Sequence, residues 1–398
     1  MALLNRYPCL WSLFKSFRRS QAKTLVLVVT VFIEAGVIGS LDLAQRLAKH
    51  LGVQVESALN RFYRLLRNKG FETGALSEAL LAGLAEKPGD VVIAVDWTEW
   101  VGKMRVLVAA VIAGNRAIPV EAAAHFESTF LRSQNAFEND FLLRLHAVLT
   151  RLGTRATILA DRGFRRASLL RLLTHWEQAF VVRLISDVCV LANGRWVRLR
   201  DLHLNPGQAV DLGSVCLGRD RASRIHVRVV GVHALGQAET WWLATNIDAS
   251  VTHVVALYDR RMGVEEQFRD TKGARFGLQM QWTQFKKEEH VDRLFLLAGA
   301  VLFVLIAIGR IVAQQRPDVR FRHPEKGPRQ SYFTVALAWA TELPHRMRLG
   351  IRIVAQAIPR PDYRHFAWIR EGLVSPHDLL ARTSPGTATT AQEDPMRN

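Results

Sequence analysis

The alternation of apolar and polar residues predicts a β-sheet in the middle of the chain. Three strand-like runs, VVIAVD, RVLVAAVIAG and RAIPVEAAAH, follow one another with short breaks that contain Gly102 and Gly114. Short breaks between consecutive strands favour an antiparallel meander. A helical segment from about Phe137 to Leu152, the strand ATILAD, a helix near 168–176 and the strand AFVVRL follow in that order. The predicted fold class is therefore α/β.

Changes in this pattern divide the chain into regions. Between Leu184 and Thr245 the sequence consists of short alternating pieces with turns at Asn193-Gly194 and Pro206-Gly207, which indicates a β-rich insertion. The last stretch is rich in Ser, Thr, Pro and Ala and is expected to be disordered. The predicted regions are a helical domain at 1–85, a core at 86–185 and 247–310, the β-rich insertion at 186–246, a basic helical region at 311–382 and a disordered tail at 383–398.

A pair of short helices near the N-terminus has the pattern of a helix-turn-helix. The first is predicted from Leu41 to Leu51 and the second from about Val55 to Leu66. Small residues at Ala48, Gly52 and Ala58 would let the two helices cross closely. The second helix exposes side chains that are able to reach base edges or phosphates, among them Asn60, Arg61 and Arg64. A plain helical hairpin with a solvated basic face is the alternative.

Charge is spread unevenly along the 398 residues, whose formal net charge is +17. Residues 1–70 hold 11 Lys and Arg against 3 Asp and Glu, and residues 310–370 hold 12 against 4. The middle, 71–309, is nearly balanced at 28 against 25. Two basic ends beside a neutral middle are expected of a protein that holds an acidic polymer such as DNA.

Cysteine spacing and apolar segments point away from secretion and from a membrane. Cys9, Cys189 and Cys216 are an odd number without close spacing, which favours a reduced cytosol. Polar residues interrupt the N-terminal apolar stretch, so no signal peptide is predicted. The uncharged run from Leu294 to Gly309 has 16 residues, slightly short of a span, and is predicted to be a buried helix.

Two aspartates stand at the ends of apolar runs. Asp96 closes VVIAVD and Asp161 closes ATILAD, so each is expected to end a strand of the sheet. Neighbouring central strands would bring the two carboxylates together. A structural role for Asp96, as the cap of a following helix, is the alternative.

A second set of polar residues recurs at helical spacing. If the segment is one helix, its members fall within a stripe about 60° wide. One face would then carry an aromatic hydroxyl, a carboxylate and two cations, which suits a surface that holds a metal and contacts phosphates. A solvated charged helix is the alternative. The members are Tyr258, Arg261, Glu265 and Lys272.

This spacing resembles the signature of DDE transposases from bacterial insertion sequences, in their YREK (insertion sequence 4-like) group. The ordered set VVIAVDWTEW, ATILADRGF and WWLATN agrees with that family over roughly residues 90–310. The resemblance implies a ribonuclease H-like core, and the predicted order of strands and helices is the order of that fold. It also implies that the catalytic residues are Asp96, Asp161 and Glu265.

Three carboxylates held together repel one another unless divalent cations neutralise them. Oxygen ligands select Mg²⁺, for which Mn²⁺ can substitute. Two such ions about 4 Å apart activate an attacking water or 3′-hydroxyl and stabilise the leaving oxygen. We therefore predict that the three acids bind two Mg²⁺ ions, and no protein nucleophile is needed.

The resemblance further implies a cut-and-paste reaction on double-stranded DNA, at both the transposon ends and the target. Such enzymes bind terminal inverted repeats and nick the transposon end, and the freed 3′-hydroxyl then forms a hairpin on the opposite strand. Trp241 matches the Trp that family members place in the insertion, and Trp242, or a core role for both, is the alternative. Tyr258, Arg261 and Lys272 match positions that contact phosphates. One active site per DNA end implies a homodimer, in the bacterial cytoplasm at the nucleoid and without a membrane.

Two other functions are open at this point. One is a ribonuclease H-like nuclease without strand transfer, and the other is a catalytically silent DNA-binding regulator derived from a transposase. The intact Asp96, Asp161 and Glu265 argue against the regulator. Inverted repeats on either side of the gene would indicate a mobile element.

Overall fold

The computed structural model describes residues 7–85, 91–113, 116–132, 134–273, 277–315, 322–323, 327–328, 331–339, 364–382 and 389–390. In this part of the chain the helices are α1 Pro8–Leu13, α2 Arg19–Ala35, α3 Ser40–Leu51, α4 Val55–Arg67, α5 Thr73–Leu84, α6 Gln134–Leu152, α7 Ala167–His175, α8 Val251–Asp259, α9 Met262–Lys272, α10 Glu288–Gln315, α11 Tyr332–Trp339 and α12 Pro376–Ala381. The strands are β1 Val91–Trp100, β2 Met104–Ala113, β3 Arg116–Phe126, β4 Ala156–Ala160, β5 Ala179–Leu184, β6 Cys189–Ala192, β7 Arg195–Arg198, β8 Gln208–Leu217, β9 Ile225–His233, β10 Trp241–Thr245, β11 Arg322–His323, β12 Gly327–Pro328, β13 Leu373–Val374 and β14 Thr389–Thr390. This mixture of helices and strands confirms the predicted α/β class.

The chain forms two compact units. The first comprises Met1–Arg155 with Met262–Arg360, and the second comprises Ala156–Arg261 with Pro361–Asn398. The chain therefore crosses between the two units three times. The domain borders predicted from the sequence remain predictions.

The first unit is built around an antiparallel sheet of β1, β2 and β3, which confirms the predicted meander. The register shifts once, where Ala109 and Ala110 of β2 face Glu121 and Pro119 of β3. Val120 is thus the extra residue of a bulge. Proline has no N–H to donate to a neighbouring strand, so it occurs at bulges and on edge strands.

The outer edge of β3 is closed by helix α10. The Asp292 carboxylate accepts a hydrogen bond from the Ala124 N–H at 2.6 Å, and the Glu288 carboxylate accepts one from the Phe126 N–H at 3.0 Å. Residues four apart lie on one face of a helix. In a strand, the backbone N–H groups of alternate residues point to the same edge. The two acids therefore replace the hydrogen bonds that a further strand would make.

Helix α10 is long and apolar enough to cross a membrane by length and composition, and so is the bent pair of α2 and α3 taken together. Of the apolar window of α10, 89% is buried within the protein. The helix packs so closely on β3 that a Cβ atom on Gly299 would come within 2.1 Å of the Pro119 carbonyl oxygen. The burial agrees with the buried helix predicted at 294–309.

The helix pair predicted near the N-terminus is present as α3 and α4. Helix α3 ends at Gly52, whose φ of 65° is the left-handed conformation that glycine adopts without strain. Ala48 and Ala58 are both buried, as expected of small residues between two closely packed helices. The predicted positions of both helices are thus confirmed.

The second unit contains a long sheet whose strands lie in the order β7-β6-β8-β9-β10-β5-β4. β4 and β5 run parallel, with α7 between them in sequence, and the remaining neighbours are antiparallel. The predicted β-rich segment therefore consists of β6 to β10. Within the predicted disordered tail the structure describes only Thr389 and Thr390, which pair with β7, and the rest of the tail lies outside the described residues.

Trp242 is the largest fully buried side chain in this sheet. It lies on β10 directly opposite Gly231 of β9. A Cβ atom on Gly231 would come within 2.3 Å of the indole ring. The glycine therefore provides the space that the ring occupies.

Replacing Gly231 by Ala is expected to destabilise the protein. The added methyl group must displace a buried ring from a closely packed core, which costs about 1–3 kcal/mol. Urea unfolding followed by circular dichroism measures the change in the free energy of unfolding. Gly74→Ala on α5 is the matched control, because a Cβ atom there meets nothing within 4 Å, and it should be neutral or stabilising by up to about 1 kcal/mol. Equal effects of the two substitutions would contradict the packing argument.

Candidate active site

Asp96 lies inside β1 rather than at its end. The strand continues through Trp97 and Thr98 to Trp100, so the predicted end of the first strand at Asp96 is wrong. The aromatic and β-branched residues after Asp96 favour strand structure, and they pair with β2 up to the turn. The half-buried Asp96 carboxylate accepts a hydrogen bond from the Trp97 N–H at 2.8 Å. It caps no helix, so the alternative role predicted for it is also wrong.

Asp161 follows β4 directly, as predicted. Its carboxylate accepts a hydrogen bond from the Gly163 N–H at 2.8 Å and caps the short 3-10 helix Arg162–Phe164. A side chain on Gly163 would crowd this carboxylate, because a Cβ atom would lie 2.9 Å from the Asp161 oxygen. The turn therefore fixes one oxygen of a half-buried acid at the end of a parallel strand.

The segment that carries Tyr258 and Glu265 is not one helix, so the predicted single helical face is wrong. Helix α8 ends at Asp259, and the Arg261 N–H bonds to the Tyr258 carbonyl three residues back, which closes a turn in place of a further helical bond. Helix α9 begins at Met262. Each helix packs in its own unit: α8 against β5 of the second and α9 against β3 of the first. Tertiary packing thus overrides the periodicity of the sequence.

Helix α9 is anchored on β1 through Lys272. The ammonium group donates to the Thr98 hydroxyl at 2.6 Å and to the Glu99 carbonyl at 3.3 Å. Because side chains alternate along a strand, Thr98 lies on the same face of β1 as Asp96. Helix α9, which also carries the half-buried Glu265 in its first turn, therefore covers the face from which Asp96 projects. Burial lowers the pKa of Lys272, and the nearby Glu99 opposes that shift.

A second anchor of α9 comes from Arg116 at the start of β3. Its guanidinium lies 2.8 Å from Asp270 and 3.2 Å from Glu266, two acids one turn apart on the helix. Burial raises the pKa of Asp270 to about 7, although Arg116 acts to lower it. Glu266 directly follows Glu265, so this ion pair fixes the turn of helix that bears the predicted catalytic acid.

The three predicted catalytic acids are divided between the units. Asp96 and Glu265 lie in the first unit and Asp161 lies in the second. Across the described residues, no group of three or more His, Cys, Asp or Glu side chains is close enough to hold a metal ion. A metal site made of all three acids therefore stays a prediction.

Trp241 and Trp242 have different environments in the structure. Trp242 is 1% exposed and belongs to the core. Trp241 is half-buried on the other face of β10. Its ring lies 5.3 Å from the Tyr258 ring, edge to face, and 5.9 Å from the Arg183 guanidinium. Trp241 is thus the more exposed of the two rings, and its contact with DNA stays a prediction.

Tyr258 contacts the ring of Trp241 and lies near enough to Asp161, in the same unit, to be affected by its charge. The tyrosine is 3% exposed, and the Arg261 guanidinium lies 5.9 Å from its ring centre. Burial raises the pKa of the Tyr258 hydroxyl, Arg261 and Arg183 oppose the shift, and the negative charge of Asp161 adds to it. One catalytic acid and three of the predicted DNA contacts are thus neighbours in this unit, although Tyr258 itself is buried.

Of the predicted DNA contacts of α4, Arg61 and Arg64 line an open cleft of about 710 Å³ in the first unit, and Asn60 does not. Asn60 and Arg64 are exposed and Arg61 is half-buried. The cleft also includes polar residues from the first two turns of α2 and from the end of α4. Its lining residues are Ser20, Gln21, Thr24, Arg61, Arg64, Leu65, Arg67 and Asn68.

Two residues near these sites were missed by the sequence analysis, and a third, Glu138, was left outside the predicted active site. Arg67 stands three residues after Arg64, a helical spacing that could have indicated it. Arg116 gives no such signal, since its partners lie far away in sequence. Glu138 is 1% exposed and accepts a hydrogen bond from the Trp97 indole at 3.0 Å, so it supports the residue next to Asp96.

Comparison with protein families identifies one match, to the transposase DDE domain, over residues 123–303. The matched segment is less than half of the chain, and it contains Asp161 and Glu265 but not Asp96. The match supports a transposase of the DDE class, a class that generally uses divalent metal ions. No protein with a curated description matches the chain.

Among solved structures, the chain is similar to a cryo-EM structure of the piggyBac transposase synaptic complex with hairpin DNA. The alignment covers 99% of this chain and 84% of that chain at 8% sequence identity, with a TM-score of 0.38. A likeness at this level carries no weight for the fold or the function.

Replacing Asp270 by Asn is expected to flatten the dependence of stability on pH. The folded protein keeps the Asp270 proton up to about pH 7, whereas the unfolded chain loses it near its ordinary pKa of about 4. The folded state therefore binds more protons in this window, and stability falls as pH rises, by up to about 1.4 kcal/mol per pH unit. Urea unfolding of both proteins at pH values from 4.5 to 7.5 measures this slope. This range covers most of the interval between the unfolded pKa of about 4 and the folded pKa of about 7 and extends just above it. An unchanged slope in Asp270→Asn would contradict the raised pKa.

Proposed function

We propose that the chain is a cut-and-paste DNA transposase of the YREK group. The observation that carries this proposal is the match of residues 123–303 to the transposase DDE domain. Asp161 and Glu265 both fall in that segment, as do Tyr258, Arg261 and Lys272. Their spacing agrees with the group signature, although the residues are distributed over two helices.

The order of elements supports a ribonuclease H-like core for this activity. An antiparallel meander of three strands is followed by α6, then by the parallel pair β4 and β5 with α7 between them. In this proposal Asp96 comes from the first strand of the core and Asp161 from the end of the fourth. Glu265 comes from the helix that covers the meander.

Asp96, Asp161 and Glu265 would hold two Mg²⁺ ions, or Mn²⁺ in their place. Bound there, the ions supply an activated water or 3′-hydroxyl and stabilise the leaving oxygen. The chain's own contribution is to orient the ligands. The Trp97 and Gly163 N–H groups each fix one carboxylate oxygen, and Lys272 with Arg116 fixes the helix that presents Glu265.

Binding of terminal inverted repeats falls to α4 and its cleft in this proposal. Three arginines line the cleft, Arg61, Arg64 and Arg67, and guanidinium groups suit phosphate oxygens. Joining of two transposon ends to a target requires a homodimer, with one set of acids for each end. Such an enzyme works on chromosomal DNA in the cytoplasm.

Trp241 is proposed to act on the DNA hairpin. A tight hairpin forces a base out of the stack, and an aromatic ring can occupy the space or hold the base. The position of Trp241 supports this role, since the ring is half-buried beside Tyr258 and Arg183 and is not needed in the core.

Cleavage of DNA that carries the element's own ends is expected to need a divalent metal and each acid. A substitution of any one acid should lower the rate of cleavage by more than about 100-fold, whether Asp96→Asn, Asp161→Asn or Glu265→Gln. Loss of a residue that only supports a metal ligand costs up to about 100-fold, and loss of a ligand should cost more. Gel assays with Mg²⁺, with Mn²⁺ and with EDTA measure nicks, hairpins and joined products.

Glu266→Gln is the matched control for Glu265→Gln, because it is the same change one residue along. Its partners are Arg116 and Arg269, so it should reduce activity far less. DNA that is bound but uncut by the intact protein would favour the silent regulator. Cut DNA without joined products would favour the nuclease.

Trp241→Ala is expected to separate two steps of the reaction. First-strand nicking should be nearly normal, whereas hairpin formation should slow by about 5- to 100-fold, the range for loss of one base–aromatic contact. Time courses of nicked and hairpin products measure both rates. Trp176→Ala, another half-buried tryptophan of the second unit, is the control, and Trp241→Phe should retain part of the rate. Normal hairpin formation by Trp241→Ala would remove Trp241 from this role.

A further inference from the structure

Trp282 is an exposed aromatic residue on a strained turn of the first unit. It is 68% exposed, within the short 3-10 helix Met280–Thr283. The residues on either side of that turn, Gln279 and Gln284, have φ angles of 54° and 55°. Only glycine adopts this left-handed conformation without strain, and strained backbone of this kind is concentrated at functional sites.

The turn is anchored to the rest of the first unit through the residue that follows it, Phe285. The Trp100 indole at the end of β1 donates a hydrogen bond to the Phe285 carbonyl at 3.0 Å. Phe285 itself is buried, with its ring 6.2 Å from that of Phe62 and 5.9 Å from that of Tyr63 on α4. The exposed indole of Trp282 therefore projects from an anchored segment, and the anchor includes the predicted DNA-binding helix.

Exposed lysines lie next to this turn in the chain and against the β1–β2 turn. Lys286 and Lys287 follow the turn and are both exposed. Lys286 lies against the β1–β2 turn at Gly102, next to the exposed Lys103. Acids are present as well: Glu288 and Glu289 follow the lysines directly, but Glu288 accepts the Phe126 N–H and Glu289 acts on His290. The nearest acid on β1, Glu99, acts on Lys272. An aromatic ring among lysines, with α4 on the same anchor, is the chemistry of a nucleic-acid contact.

We propose that Trp282, Lys103, Lys286 and Lys287 form a second DNA-binding surface of the first unit, distinct from the α4 cleft. The lysines contact phosphates and the indole packs on a deoxyribose of duplex DNA. The surface links α4 to the segment between α9, which carries Glu265, and α10. This inference rests on the proposed function, since it takes DNA as the ligand.

Fluorescence anisotropy of the full chain with a labelled mixed-sequence duplex, over a series of KCl concentrations, tests the surface. Trp282→Ala should weaken binding by about 5- to 100-fold with the salt dependence unchanged. Lys286→Gln with Lys287→Gln should reduce the slope of log K against log salt by about 2. Trp282→Phe should bind between wild type and Trp282→Ala.

Two exposed residues outside the surface serve as controls. Leu235→Ala removes a side chain that is 73% exposed in the second unit, and Arg195→Gln removes an exposed cation of the same unit. Both should bind as wild type does.

Wild-type binding by Trp282→Ala and by the double lysine variant would overturn this inference and leave the proposed function intact. Dissociation of a wild-type dimer by Trp282→Ala, with DNA affinity unchanged in sedimentation and anisotropy, would also overturn it, because the ring would then contact a second copy of the chain. Failure of the wild-type chain to bind any duplex would overturn both proposals. Trp282-dependent binding without metal-dependent cleavage would support the surface and count against the transposase.

Discussion

Two cations held between helix α9 and the β1–β3 sheet determine where Glu265 lies. Arg116 pairs with Glu266 and Asp270, and Lys272 donates to the Thr98 hydroxyl and the Glu99 carbonyl. A buried charge is costly unless oxygen partners surround it. Undocking the helix would leave these groups without their partners, so the helix is docked as a whole or not at all. The position of one predicted catalytic acid relative to another, Asp96, thus depends on ion pairs and hydrogen bonds made by neighbouring residues.

Aromatic packing within the same unit joins the predicted DNA-binding helix α4 to the strand that carries Asp96. Phe285, between α9 and α10, packs with Phe62 and Tyr63 of α4 and receives the Trp100 indole hydrogen bond from β1. The Ile38 N–H also bonds to the Leu278 carbonyl. Helices at the N-terminus and the sheet that carries Asp96 therefore share one core. In the proposed function, DNA bound at α4 would therefore be held by the same body that carries two of the three predicted catalytic acids.

Much of the architecture was predictable from local pattern. Alternation located the strands, and apolar periodicity located α3, α4 and α10, because these signals depend on neighbours in sequence. The break between α8 and α9 was not predictable, since Tyr258 and Glu265 keep helical spacing across it and only packing in separate units interrupts the helix. The extension of β1 beyond Asp96 was missed because the acid was taken to end the strand.

The candidate site was predictable in its residue types but not in its contacts. Asp96, Asp161 and Glu265 could be named from their settings, whereas the contact between Lys272 and Thr98 joins residues 174 apart in sequence. The choice between Trp241 and Trp242 also needed the structure, because alternation says only that the two rings face opposite ways. The gap opposite Gly231 decides which ring belongs to the core.

The two carboxylates that cover the edge of β3 have a consequence for assembly. An exposed strand edge is a template on which another chain can add a strand, and such pairing leads to aggregation. An acidic side chain that accepts the Ala124 or Phe126 N–H occupies that donor, so an incoming strand cannot pair with it. The end of β3 that contains these two residues is therefore closed to pairing with a strand of another chain. In the homodimer proposed above, the contact between copies must use a different surface.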